Sequence, residues 1–360
     1  MDPHPKPNSP QDPFAVAEVV DRPPPPRPPK RRSVLGILFF LLLFLVLGFS
    51  LLLNFGLLFS SAALDSPTKV RERFVSHSRY ASDRIAIMPI EGVILDEGDG
   101  FVKRQIDHVR EDESVKAIVL RVDSPGGTVT GSDFLLHHLN RLREERGIPI
   151  VVSMGSVAAS GGYYVSMAVG DPPDTIFAEP TTWTGSIGVI IPHYDLSKLL
   201  QEKLGVDDDS ISSHPLKNMG SFAKAMTGEE RKIYQELVDE SFGRFKEIIK
   251  SGRPKFQKDG EALDKLATGQ VYTAEQAKKL GLVDKIGFIE EAIQRAIELA
   301  GVDEDDVRVV KYRREPTLAD VLMGARASRP GVDLASLLET TTPRAYYLST
   351  RMPPFVHSGN

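Results

Sequence analysis

The sequence predicts an α/β domain with largely parallel strands, preceded by a single N-terminal transmembrane helix. Two observations carry this. Between residues 82 and 300, short apolar runs alternate with amphipathic helical stretches, the pattern of strands joined by crossover helices. Before them lies "SVLGILFFLLLFLVLGFSLLLNFGLLFSSAAL", residues 33–64, without one charged side chain. A bilayer core needs about 20 apolar residues and a signal-peptide core about 7–15, so this run reads as an uncleaved anchor.

The elements follow in order. Residues 1–32 end in "RPPPPRPPKRR" and read as a disordered proline-rich tail, because such a segment neither buries apolar area nor closes helix hydrogen bonds. Arg27, Lys30, Arg31 and Arg32 before the anchor slightly outweigh Lys69, Arg71 and Arg73 after it, which favours an N-terminus inside. Residues 65–81 read as a linker. "RIAIMPIEGVI" (84–94) is a buried strand and turn, and "VKAIVLRV" (115–122) a second strand stopped by "DSPGG". Residues 131–147 have helical spacing and a glycine cap. "IPIVVSMG" (148–155) is a third strand, "GGYYVSMAVG" (161–170) a short helix, and "DTIFAEP" (174–180) a fourth strand. "TWTGSIGVIIP" (182–192) precedes a helix around residues 196–205, and Gly228–Ser251 is a long charged amphipathic helix. "VYTAEQAKKLGLVDKIG" (271–287) reads as turn, short helix and final strand. Residues 301–360 form a C-terminal extension, an oligomer arm rather than a second domain.

Composition narrows the chemistry. The 360-residue chain is 41% hydrophobic with a formal net charge of −5, which gives nucleic-acid binding no support. It has no cysteine, which excludes disulfides, thiol nucleophiles and Cys-ligated metals. No HExxH motif is present, and "DDDS" (207–210) and "DEDD" (303–306) read as solvated loops. Neither a metal nor another cofactor is expected.

One serine stands out. In "GSVAASGGYY" (155–164), Ser160 follows a strand and opens a helix. There the next backbone N–H, that of Gly161, can point at a developing oxyanion. A second donor must come from another loop. "DSPGG" ends a neighbouring strand, and Gly127 with Gly126 beside it is the candidate. Each motif alone also fits an ordinary strand-to-helix turn; the pair is more specific.

"DSPGG", "GSVAASGGYY", "TGSIGV" and "VYTAEQAKKLGLVDKIG" resemble, in the same order, the signal peptide peptidase A family of the ClpP/crotonase superfamily. The resemblance covers residues 82–300 and the short, single-repeat form. It implies a ClpP/crotonase-like fold of repeated ββα units and a serine endopeptidase with a Ser/Lys dyad. Ser160 is then the nucleophile. The general base falls in "SISSHPLKNMGS", where Lys217 is the single lysine; Lys224 and Lys203 are the neighbouring alternatives. The family pattern has an acidic residue after the lysine, and here stands Asn218. Ser186 matches the position that orients the lysine; a tight-turn serine is the plainer reading. A histidine base would have to be His193 or His214, and both read better as structural or surface residues.

The resemblance further implies a homo-oligomer, with a dyad that in some members is shared between subunits. Its substrates are apolar peptides such as remnant signal peptides. The expected place is a bacterial cell membrane, single-pass, with the catalytic domain on the outer or periplasmic side. Membrane lipid would be met through residues 33–64. Three rival readings stand beside it: a soluble-type crotonase that binds an acyl thioester, against which the Ser/Lys pair and the anchor argue, a protease for one specific membrane protein, and a non-catalytic membrane scaffold.

Overall fold

A computed structural model describes residues 34–64, 70–95, 100–314 and 346–348. The proline-rich tail and most of the C-terminal extension lie outside the described residues. The chain divides into two units, Met1–Ala62 and Ala63–Asn360.

Residues Val34–Leu64 form a helix (α1) of 31 residues, nearly all of it in the first unit. Its described side chains, 38–54, are all exposed. Among the described residues no helix is long and apolar enough to cross a membrane.

The second unit is a mixed α/β fold built on one sheet. Its strands are Val70–His77 (β1), Asp83–Glu91 (β2), Val115–Ser124 (β3), Ile150–Ala159 (β5), Ile176–Ala178 (β6), Trp183–Gly185 (β7), Val271–Thr273 (β8), Lys285–Ile286 (β9) and Val307–Arg314 (β10). The order is β1-β10-β2-β3-β5-β6-β9, with β7 on the far end of β5 and β8 on β7. From β10 to β9 every pairing is parallel; β1–β10 and β7–β8 are antiparallel. A three-residue strand, Gly126–Thr128 (β4), stands apart and pairs with Tyr346–Leu348 (β11).

The sheet takes in residues on both sides of 82–300. β1 comes from the stretch read as a linker and β10 from the extension, and the two pair along their whole length. β1 alternates half-buried and exposed positions, as an edge strand with one solvated face does.

The central strands are buried on both faces, so they read as continuous apolar runs. In β2, Ile85 and Ile87 face one core while Ala86, Met88 and Ile90 face the other. Ile289–Ala300 (α9) seals the first face with Ala292, Ile293, Ala296 and Ile297. The opposite face is covered chiefly by Phe101–Glu111 (α2), Val129–Arg146 (α3), Gly161–Ser166 (α4) and Gly228–Gly252 (α5). α3 starts where Thr128 Oγ1 accepts from the Gly131 N–H, ahead of the helical stretch read from residue 131, and stops at the left-handed Gly147, the glycine cap that its sequence predicts. α5 opens with a full capping box between Thr227 and Glu230.

Candidate active site

Parallel register brings three chain reversals to one end of the sheet. Ser124 on β3 pairs with Ala158 on β5, and Ala159 pairs with Gly185 on β7. The residues after these strands are Gly126–Gly127, Ser160 and Ser186. Crevices outside the carboxyl ends of parallel strands are where α/β folds bind ligands.

Ser160 is held in a backbone conformation that L-residues rarely adopt, φ 53° and ψ −115°. Such a residue costs about 1–3 kcal/mol and persists only when its surroundings over-determine it. Here they do. Its N–H donates to the Gly185 carbonyl at 2.7 Å, and its carbonyl accepts from the Tyr164 N–H at 2.8 Å. The two tyrosines that follow pin the short α4. Tyr163 donates to the Leu282 carbonyl at 2.8 Å and Tyr164 to Asp133 Oδ1 at 2.6 Å. Burial, reinforced by the Asp133 carboxylate, pushes the Tyr164 phenol far above its ordinary range, so it stays a donor. Ser160 is 1% exposed, and its Oγ has no hydrogen-bond partner among the described residues.

The glycines expected to donate are packed against this serine's own turn. A Cβ on Gly161 would stand 3.1 Å from the Gly127 nitrogen and 2.4 Å from Ser132 Oγ. One on Gly126, which has φ +102°, would stand 2.7 Å from the Gly161 nitrogen. One on Gly127 would stand 1.8 Å from the Ile94 carbonyl oxygen. Only backbone fits here, so the loop of Gly126 and Gly127 packs directly on the turn that follows Ser160. Ile94 holds the loop from the other side: its N–H donates to the Gly126 carbonyl and its carbonyl accepts from Thr128, both at 2.9 Å.

Ser186 occupies on β7 the place Ser160 occupies on β5, one residue past the paired Ala159–Gly185. It too has a left-handed backbone, φ 50°, and its N–H donates to the Gln270 carbonyl at 2.7 Å. It is 7% exposed.

The structure therefore brings together Ser160, Ser186, Gly126, Gly127 and Gly161. It does not bring Lys217 to them within the chain. Lys217 lies exposed on a single 3-10 turn, Pro215–Asn218, and its amine has no partner among the described residues. Lys224 is engaged by the buried carboxylate of Glu230, and Lys203 is exposed on the helical turn 199–204. His193 Nε2 meets the Ser221 carbonyl at 3.2 Å, and His214 Nδ1 accepts from the Leu216 N–H. Neither meets Ser160. Sequence reasoning missed Ile94, Ser132 and Tyr347, which shape the cradle; only the "YY" at 346–347 hinted at an aromatic with somewhere to pack.

Among the described residues, ligand-type atoms of Glu72, His108 and Asp112 lie within 4.8 Å of one another. Arg84 Nη1 already donates to Glu72 at 2.9 Å and Asp112 at 2.7 Å, so a guanidinium fills the cation position.

The sequence pattern of peptidase family S49 matches residues 143–303, a stretch that holds Ser160, Ser186 and Lys217. A provisionally named signal peptide peptidase SppA of Enterococcus faecium is 36% identical over 248 residues, 66% of this chain and 69% of that one. The chain belongs to peptidase family S49. As a member of S49 it is a serine peptidase. Protease 4 of Salmonella typhi is 35% identical over 292 residues, 77% of this chain; the S49 chain spans 45% of that relative's length. Among solved structures, a mutant of a membrane-bound stomatin-specific protease in complex with a substrate peptide aligns with 68% of this chain and 98% of its own, at TM-score 0.41 and 19% identity.

Proposed function

We propose that the chain is a membrane-anchored serine endopeptidase of ClpP/crotonase-like fold, working through Ser160 and Lys217. The single observation that carries this is Ser160 itself. It is a strained, buried serine whose hydroxyl has no partner, seated against two glycine amides. Ser160 Oγ attacks the scissile carbonyl while the uncharged Lys217 amine takes its proton. The N–H groups of Gly127 and Gly161 hold the oxyanion. Lys217 returns the proton to the departing amine, leaving an acyl-enzyme on Ser160. Water, deprotonated by Lys217, then releases the second product. Ser186 positions the Lys217 amine.

Lys217 reaches Ser160 from a neighbouring copy. The segment that carries it exposes Ile190, Tyr194, Leu196, Leu199, Leu204, Val206, Ile211 and Phe222. A run of apolar side chains of that length in water favours association. The substrates are remnant signal peptides or other apolar, membrane-associated peptides. Residues 33–64 anchor the enzyme in a bacterial membrane with the N-terminus inside and the catalytic unit outside. Tethering raises the effective concentration beside such substrates.

Labelling with a serine-directed fluorophosphonate tests the nucleophile. The wild-type chain is expected to label, and Ser160→Ala to lose both label and peptide cleavage with its fold intact. Label that persists in the variant moves the nucleophile elsewhere, with Ser186 the first suspect.

A further inference from the structure

The cations that open β1 find like charges opposite them in the fold. In the antiparallel pair β1–β10, Arg71 stands opposite Arg313 and Arg73 opposite Lys311. Directly opposed residues share a face, with Cβ atoms about 4.5–5.5 Å apart. The register slips between Phe74 and Ser76, beyond both pairs. Arg71, Arg73 and Arg313 are exposed and Lys311 is half-buried. Their neighbours Glu72 and Tyr312 take the other face, where Glu72 meets Arg84. The carboxylate of Glu91 adjoins the cations, 3.4 Å from Lys311 Nζ. Like charges directly opposite one another weaken a sheet. Two such pairs in succession cost the fold stability, and an anionic surface offsets that repulsion.

These pairs stand at the end of the sheet that carries Ser160. β10 runs parallel to β2, with Lys311 level with Ile87, and β2 runs parallel to β3, with Glu91 level with Asp123. Arg313 therefore lies toward the carboxyl ends of the parallel strands, where Gly126 follows β3 and Ser160 follows β5. β1 runs the other way and begins at that same end. Residues 65–69 separate it from α1, and five residues extend to at most about 18 Å. The chain thus enters the sheet from the anchor at the active-site end.

We propose that Arg71, Arg73, Lys311 and Arg313 form a docking face for an anionic bilayer surface. Guanidinium groups take phosphate oxygens in bidentate pairs, and the lysine adds a point charge. Each cation brought to such a surface is worth about fivefold in partition. The anchor fixes one point of the catalytic unit, and this face supplies a second, which turns the Ser160 end of the sheet toward substrates held in the membrane. This rests on the reading of residues 33–64 as an anchor given above.

The chain has no cysteine, so Val75→Cys, exposed at the irregularity of β1, carries a single fluorophore. The labelled full chain is reconstituted into nanodiscs of phosphatidylcholine alone or with about 30% phosphatidylglycerol, each with an energy acceptor on a few headgroups. Energy transfer is expected to give a docked-to-undocked ratio at least about tenfold higher in the anionic discs. Arg71→Gln, Arg73→Gln, Lys311→Gln and Arg313→Gln together are expected to return it to the neutral-disc value. Because these four substitutions alter a paired ribbon, the unsubstituted face is also measured in salt. Raising sodium chloride from about 0.05 M to about 0.5 M shortens the screening length about threefold and is expected to lower the ratio at least about fivefold. Equal transfer in the two discs, or transfer unmoved by salt, overturns the proposal. So does a quadruple variant with wild-type circular dichroism that still docks. Resistance to alkaline extraction reports the anchor separately. If the chain is extracted, the anchor reading fails, and flotation of the full chain with vesicles of the same two compositions decides the face. It is then expected to float with the anionic vesicles and not with the neutral ones; equal flotation with both overturns the proposal.

Discussion

Residues 155–164 and residues 190–222 belong to one chain but are packed in opposite ways. In the first stretch every residue except Ser156 is buried, and both tyrosines are tied by their hydroxyls. In the second no residue is buried, and Ile211 is fully exposed. The first holds the proposed nucleophile, the second the proposed base. A strained serine has to be over-determined by its own fold. A lysine that is to meet that serine from another copy has to be displayed on the surface. On the proposed reading, the difference means that one half of this active site is finished by folding and the other half by assembly.

The heaviest blow to the folded half is Ser160→Ala. Peptide cleavage should fall by about 10⁴-fold or more, as removal of a nucleophile does elsewhere, while thermal unfolding stays near the wild-type midpoint. Steady-state cleavage with unfolding followed by circular dichroism checks both. Residual cleavage above that level would mean that the buried hydroxyl is a structural feature of the turn.

On the displayed half, Lys217→Ala and Lys217→Arg should both cost about 10²–10⁴-fold in kcat, the range of a lost general base. Arginine is no rescue, because it stays protonated and its guanidinium is not a smaller lysine. Lys224→Ala should leave most of the cleavage rate, since Lys224 is occupied by Glu230. The reverse order of these kcat values would transfer the role of base.

The folded half should also respond to loss of its buried ion pair. Arg253 Nη2 meets Asp284 at 2.7 Å, with side chains 10% and 16% exposed. Burial opposes the Asp284 charge, but the Arg253 guanidinium and the Ile176 and Thr175 N–H groups outweigh it and hold the carboxyl below its ordinary range. Asp284→Asn should therefore destabilise the domain by about 3 kcal/mol at neutral pH, the cost of leaving the guanidinium buried without its partner. The sign with pH follows from the lowered value. The contribution is full above the unfolded value of about 4 and is lost as pH falls through the folded one. Denaturant titrations should thus show the gap between wild type and variant closing in acid. A gap that widened would contradict the assignment.

The weakest effect on folding should come from the displayed half. Ile211→Asp should change the chain's own stability by no more than about 0.5 kcal/mol, being a surface substitution. It should nonetheless shift light scattering toward smaller species and lower cleavage in parallel. An unchanged assembly with full activity would remove residue 211 from the interface.

Much of the folded half was legible in the sequence because its signals are local. Strand runs bounded by glycine announced β2, β3 and β5, and the paired glycine motifs located Ser160, Gly126, Gly127 and Gly161. Ser186 came only with the family resemblance of "TGSIGV", and its equivalence to Ser160 needed the register of β5 and β7. β1 and β10 were not legible. "VRERFVSH" carries charges on its outer face and finds its partner only at residues 307–314. β11 has three residues and no periodicity to read. The position of Lys217 relative to Ser160 was beyond any local pattern, since among the described residues its amine has no partner.

Mixing two inactive chains tests the division most directly. Ser160→Ala keeps Lys217 and Lys217→Ala keeps Ser160. If Lys217 serves a neighbour's Ser160, subunit exchange between the two variants should restore cleavage to roughly a quarter of the wild-type rate, as random pairing rebuilds one intact site in four. Cleavage that stays at the level of the separate variants, after exchange has been verified by differently labelled subunits, would place serine and lysine of each working site in the same chain and contradict the account.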